Sequence, residues 1–352
     1  MAALSGRWFR PRIGGRELSV FFRSLHTLIQ AGIPLVQSLT ILRGGEWSPA
    51  FSEALTRLEL ELTAGHDLSQ SLAHTGAVPA DLVGTLRSGE QSGKLLATLS
   101  QVCLALEKSE ARRRRLVAGL VYPFFLAGVS AAMLAALFFF FVPQMLRVLE
   151  SLQLKPSFPL NLLSVALDPV LLTLVAEVVL LIAAIVVFWI RTPEGQLWRD
   201  EVLLEIPLVG RTLLAAELSR FAFNVALMTR AGLTLTEALL LQEEATLNRV
   251  LAQEVARVRT RLEYGMSLGA SLAEEAHFDR LLVSLVESGE AVGRLPKLLD
   301  HASRLYEEAF ETTLERATAM LEPIILCTMG VLVGGIQAAL LLPLARIVQA
   351  VS

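Results

Sequence analysis

Residues 88–95 read Ser-Gly-Glu-Gln-Ser-Gly-Lys-Leu, and residues 288–295 read Ser-Gly-Glu-Ala-Val-Gly-Arg-Leu. The two octapeptides stand 200 positions apart, and the same offset returns on either side of them. Upstream, Ala31-Gly32-Ile33-Pro34-Leu35 matches Ala231-Gly232-Leu233-Thr234-Leu235, and Gly65, Leu68, Ser71 and Leu72 return as Gly265, Leu268, Ser271 and Leu272. Downstream, Pro123 and Pro143 return as Pro323 and Pro343. No gap is needed. A fixed period of this length marks a duplicated structural unit, and it decides the fold before any motif does.

The unit is helical. Apolar residues recur at three and four, as in Leu55, Leu58 and Leu62, which is the spacing of one helix face. Gly32 suits a left-handed helix end and Pro34 the first turn of the next helix. Thr234 and Glu237 form a T-x-x-E capping box at the matching place. Asp67 with Gln70 offers a similar start, and Ser267 a weaker one. Pro123 and Pro323 open apolar stretches that Pro143 and Pro343 close. Each unit is expected to be a bundle of about six helices, the last running on from Lys94 to Arg115 into an apolar segment.

The chain has 352 residues, of which 53% are hydrophobic and 18% charged, with a mean hydropathy of +0.55. A soluble protein carries about a quarter charged residues, so an integral membrane protein is indicated. Residues 116–142 and 323–345 contain no charge, and 169–190 contain only Glu177. About 20 apolar residues cross a bilayer core, so three transmembrane helices are expected. Lys108 and Arg112, Arg113, Arg114 and Arg115 precede the first span, and Arg191, Arg199 and Arg211 follow the second. The positive-inside rule then places the N-terminus in the cytoplasm and the C-terminus outside.

The expected organisation is a flexible basic tail at 1–15, a first cytoplasmic domain at 16–115 and a first span at 116–142. An external loop at 143–168 and a second span at 169–190 follow. A second cytoplasmic domain at 191–321, a third span at 322–346 and an external tail at 347–352 complete the chain. The second span lies outside the repeat and returns the chain to the cytoplasmic side. No secretory signal pattern follows Arg7, Arg10 and Arg12.

The motifs favour structure over chemistry. Gly89 to Leu95 resembles a phosphate loop but has three residues between its glycines, and Leu95 follows Lys94 where Ser or Thr is needed. A tight helix–helix turn built on Gly89 and Gly93, and again on Gly289 and Gly293, fits better. Both copies hold an acid at Glu90 and Glu290; each reads either as a helix-end acid favouring the macrodipole or as a contact to a partner protein. The arginine run 112–115 reads as a topology anchor attracted to anionic lipid, or as a partner-binding patch. Glu177 within a span is a functional candidate by default; it is protonated, or pairs with a polar group such as Gln337. Gly330, Gly334 and Gly335 permit close helix packing. Cys103 and Cys327 form no metal pattern, no D-x-D-type calcium loop occurs, and no catalytic set is present. No cofactor, metal or nucleic-acid site is expected.

With these residues in view, the chain resembles the type II secretion system F family, from about Leu18 to Val348. The resemblance rests on the doubled Ala-Gly-x-Pro/Thr-Leu, G-x-x-L-x-x-S-L and S-G-E-x-x-G-x-L patterns, on Tyr122-Pro123 and Glu322-Pro323, and on Ile206-Pro207-Leu208-Val209-Gly210. Ala291-Val292 in place of Gln91-Ser92, and Thr234 in place of Pro34, are departures between the copies. The resemblance implies a non-enzymatic platform protein of the bacterial inner membrane, serving type II secretion or type IV pilus assembly. Its implied partners are a cytoplasmic hexameric ATPase, pilins or pseudopilins, other inner-membrane assembly-platform proteins and membrane lipid. Small residues in the spans suit a homo-oligomer. The spans, the repeat and Glu177 also admit a polytopic transporter or channel component, although most of the repeated sequence lies outside the spans.

Overall fold

The computed structural model describes residues 14–151, 177, 180, 188–190 and 192–351. The expected tail before residue 14, the loop beyond residue 151 with Lys155, and most of the middle span at 169–190 lie outside the described residues. Among those described, the chain is helical and contains no strand. It divides into two compact units, residues 1–115 with 200–312, and residues 116–199 with 313–352.

The first copy of the repeat forms α1 (Gly15–Gln30), α2 (Leu35–Arg43), α3 (Pro49–Thr63), α4 (Leu68–Thr75), α5 (Ala80–Gln91) and α6 (Leu95–Ala136). A π-helical turn at Leu137–Phe141 and α7 (Val142–Ser151) continue it. After α8 (Pro193–Glu205), the second copy forms α9 (Val209–Ala231), α10 (Leu235–Ala245), α11 (Arg249–Glu263), α12 (Leu268–Ala273), α13 (Arg280–Ala291) and α14 (Leu295–Val351).

Local chemistry accounts for these boundaries. Ser48 caps α3 by accepting the N–H of Phe51, with Pro49 in the first turn, and the helix buries Phe51, Leu55, Leu58 and Leu62. Asn248 caps α11, whose Leu251, Val255 and Val258 are buried at matching positions. The expected capping box of α10 forms, with Thr234 and Glu237 serving each other's backbone N–H. Pro34 stands at the N-cap of α2, one position before its first turn. The two starts at 67 and 267 reverse the expected ranking. The Asp67 side chain makes no capping bond, whereas Ser267 accepts the N–H of Ala270.

Each copy has its own apolar core. Leu18, Phe21, Phe22 and Leu25 from α1 meet Leu58, Leu68, Leu86 and Leu99 in the first. Phe221, Val225, Leu239, Val255, Leu268, Leu282 and Leu299 fill the second. Fully burying one such side chain contributes about 1.5–3 kcal/mol, so these faces fix the packing of short helices that are marginal alone.

The helices run through the four repeated prolines without ending at them. Pro123 lies inside α6, Pro143 is the second residue of α7, and α14 runs through positions 323 and 343 to Val351. The helix therefore also continues past 346, where a tail was expected. Proline forfeits one backbone hydrogen bond, and long apolar helices absorb that loss through local adjustment. Leu95–Gln144 and Leu295–Ala338 are helical stretches long and apolar enough to cross a membrane.

Candidate functional site

The recurring S-G-E-x-x-G-x-L segment builds the turn between the last two helices of each bundle. Gly93 and Gly293 adopt φ of 69° and 66°. Lys94 N–H returns to Gly89 O at 2.8 Å and Arg294 N–H to Gly289 O at 2.9 Å, while the glycine N–H groups reach Glu90 O and Glu290 O. This is a Schellman stop with glycine in its left-handed position. Gly89 serves a different need: a Cβ there would overlap the Thr98 side chain of α6.

Glu90 stands in the last turn of α5 yet caps another helix. Its carboxylate accepts Leu68 N–H at 2.7 Å and Ser69 N–H at 3.0 Å. Glu290 does the same for Leu268 and Gly269, again at 2.7 and 3.0 Å. Each acid thus satisfies the open N–H groups at the start of α4 or α12, with a favourable dipole. In the second copy Ser267 adds a bond to the third N–H, that of Ala270, beside the two held by Glu290.

Within the first compact unit the two copies meet through α5 and α6 on one side and α9, α10 and α14 on the other. Asn224 donates to Asp81 Oδ2 and to Gln242 Oε1, both at 3.0 Å. Ser88 Oγ donates to Ala231 O at 2.7 Å. Phe223 and Leu227 of the second copy enter the core of the first, and Lys108 Nζ lies 4.1 Å from the Phe223 ring centre. Gly84 admits Leu241, since a Cβ there would collide with it. Beside this seam is a cavity of about 360 Å³ lined by Asp81, Ser109, Arg112, Arg220, Asn224 and Glu244, among others.

Burial sets the electrostatics of the seam. It pushes the Asp81 carboxyl above its ordinary pKa, against the Leu82 N–H and Arg220, which favour the charged form. Burial likewise pulls Lys108 below its usual value, although Asp300 and Glu307 oppose it. From the arginine run, Arg112 stands 3.4 Å from Glu307 and Arg115 pairs with Glu311. Two of the four arginines therefore contact acids of α14.

Sequence reasoning missed one polar cluster. In the second copy, Glu275 is held by Arg257 and Arg261, each at 2.6 Å, and Glu254 by His277 at 2.7 Å. Spacing of three and four among Glu254, Arg257 and Arg261 was the available signal. Glu254 and Glu275 are buried, and the His277 pKa is raised chiefly by its bond to Glu254. No group of three or more His, Cys, Asp or Glu able to hold a metal occurs among the described residues.

In the second compact unit Tyr122 donates to Glu322 Oε1 at 3.2 Å, joining α6 to α14 at equivalent positions of the repeat. Glu177 and Gln337 are both exposed and helical, and no hydrogen bond joins them among the described residues. Gly330, Gly334 and Gly335 have open space where a side chain would stand.

The gapless doubling and the paired turns have a counterpart among known proteins. A family model described as type II secretion system (T2SS), protein F, matches residues 21–143 and again 221–343. The chain belongs to the type II secretion system protein F family. This family member is similar to the type 4 fimbrial assembly protein PilC of Pseudomonas putida, at 31% identity over 93% of the chain and 82% of that protein. It is similar to type II secretion system protein F of Pseudomonas aeruginosa, at 29% over 97% and 85%. It is also similar to type IV pilus assembly protein PilC of Thermus thermophilus, at 28% over 96% and 84%. The two matched segments carry the same 200-residue offset as the turns.

Proposed function

We propose that this protein is the inner-membrane platform of a type II secretion or type IV pilus assembly machine. It has no catalytic role of its own. The carrying observation is that the family pattern occurs twice, each copy leading into an apolar helix long enough to cross a bilayer. The proposed topology has three spans, a cytoplasmic N-terminus and a periplasmic C-terminus, which puts both bundles in the cytoplasm. A cytoplasmic hexameric ATPase engages the bundles, and pilins or pseudopilins and other platform proteins meet the membrane-embedded part. Support comes from α6, one helical element from Leu95 to Ala136, because an unbroken helix offers a stiff path for motion between a bundle and the bilayer. Acids outnumber bases from Gly195 to Glu315, which suits a basic partner surface.

The test is direct. The purified full chain should hydrolyse no ATP yet retain the cognate hexameric ATPase. Deleting its gene should abolish either surface pili or secretion of folded exoproteins. A mutant with both intact, or a chain that fails to retain the ATPase, would remove the basis of the coupling role.

A further inference from the structure

The two copies start their fifth helices differently. In the second, the Asp279 carboxylate accepts the N–H of Leu282 at 3.0 Å and the hydroxyl of Tyr306. A negative charge is favourable at the start of α13, where helix N–H groups lie open. In the first copy both partners are replaced: Pro79 stands at the position of Asp279 and Leu106 at that of Tyr306. α5 accordingly begins with no side-chain cap. Pro79 and Leu106 both line the cavity of about 360 Å³ beside the seam. The cavity therefore lies where the second copy keeps a carboxylate of its own.

Its wall is rich in donors. Arg112 and Arg220 both line it. Arg112 Nη1 is buried and has no hydrogen-bond partner among the described residues; its ion pair with Glu307 stands at 3.4 Å. Arg220 is held in place by Glu217 and the Ala245 carbonyl. Asp81 lines the cavity at 8% exposure, and its Oδ1 has no hydrogen-bond partner among the described residues. Asn224 donates to Oδ2, and burial favours the protonated acid. The proton then belongs on Oδ1 and makes it a donor. The other acid of the wall, Glu244, is exposed to solvent. Leu82, Leu106 and Phe223 supply apolar surface beside these groups. The volume falls in the range of small-molecule sites, about 300–1,000 Å³, and exceeds a bare oxyanion several-fold.

We propose that this cavity binds a small soluble organic phosphate, with its oxyanion at the uncapped start of α5 between Arg112 and Asp81 and its apolar body against Leu106 and Phe223. Phosphate suits the site better than carboxylate because the donors come from three elements, α5, α6 and α9, and a tetrahedral head offers an oxygen to each. The site stands whether or not the coupling role holds.

The experiment titrates phenyl phosphate calorimetrically into the full chain in phosphatidylcholine nanodiscs. A Kd below about 1 mM is expected for a ligand of this size. Phenol and inorganic phosphate should each bind at least about tenfold more weakly, since each lacks one half of the contact. P79D with L106Y rebuilds the arrangement of the second copy. It should weaken phenyl phosphate at least about tenfold while the unfolding midpoint holds or rises, because α5 gains a cap. R112Q should weaken binding about tenfold, as a lost charge-assisted bond does. No binding up to about 10 mM would overturn the proposal. So would equal affinity for phenol or for inorganic phosphate, or binding unchanged by both R112Q and the P79D–L106Y pair. Nanodiscs containing phosphatidylglycerol should bind the probe equally well; competition by that lipid would give the cavity to a lipid headgroup and overturn a soluble ligand.

Discussion

Asn224 donates its side-chain amide to Asp81 Oδ2 at 3.0 Å, carrying a hydrogen bond from the second copy of the repeat to the first. Asp81 Oδ1 is buried and has no hydrogen-bond partner among the described residues, and burial holds the carboxyl above its ordinary pKa. The unfolded chain therefore gives up this proton at lower pH than the folded one does. The stability contributed by the neutral acid is complete below the unfolded value, about 4, and is lost as pH rises through the folded value. D81N should keep the acceptor for Asn224, flatten this dependence and be at least as stable near neutrality. Denaturation curves of both proteins between pH 4 and pH 8 check it; identical pH profiles would remove Asp81 from the energetics of the seam.

Removing the acid that caps α4 should destabilise the fold itself. E90A and E290A should each lower the unfolding free energy by about 2 kcal/mol, as expected for a lost charge-assisted bond to two N–H groups. E90Q should lose less, because one acceptor oxygen remains. Chemical denaturation of the solubilised chain measures this, and an unchanged midpoint for E90A would refute the capping role.

The turn glycines should separate by cause. G93A and G293A should cost about 1 kcal/mol each through the left-handed backbone. G89A should cost more, because its methyl group meets Thr98. T98A should recover part of the G89A loss and none of the G93A loss. A double-mutant cycle on unfolding free energy reads the difference.

Two helix starts that look alike in the sequence should respond differently. S267A should cost about 1 kcal/mol as a lost N-cap, and D67A clearly less. Equal losses would mean that Asp67 caps α4 after all.

Topology can be read without a structure. A reporter fused near Lys155 should be active only outside the cytoplasm. Cytoplasmic activity there would overturn the three-span arrangement inferred from the arginines.

The repeat was legible because it rests on glycine and cap positions that recur at one offset. Glu90 and Glu290 could be recognised as a pair, but their partners lie 22 and 21 residues upstream, on a helix that only the folded bundle brings near. The seam was hidden for the opposite reason. It lies where the copies differ, with Asp81 against Leu281 and Asn224 against Ser24, and a search for likeness passes over such positions. The polar cluster around Glu275 escaped because half of it, Glu275 and His277, lies in the connection after α12.

The π-helical turn at Leu137–Phe141 lies between α6 and α7, whereas α14 is continuous α-helix at 337–341. A π-turn accommodates one extra residue, and one residue is about 100° around an α-helix. The two apolar helices share a face at Tyr122 and Glu322. Past Phe141 they keep the same count and lose the same compass bearing. From there the duplication is a likeness of spelling alone, and the two copies are free to show different sides to the same surroundings.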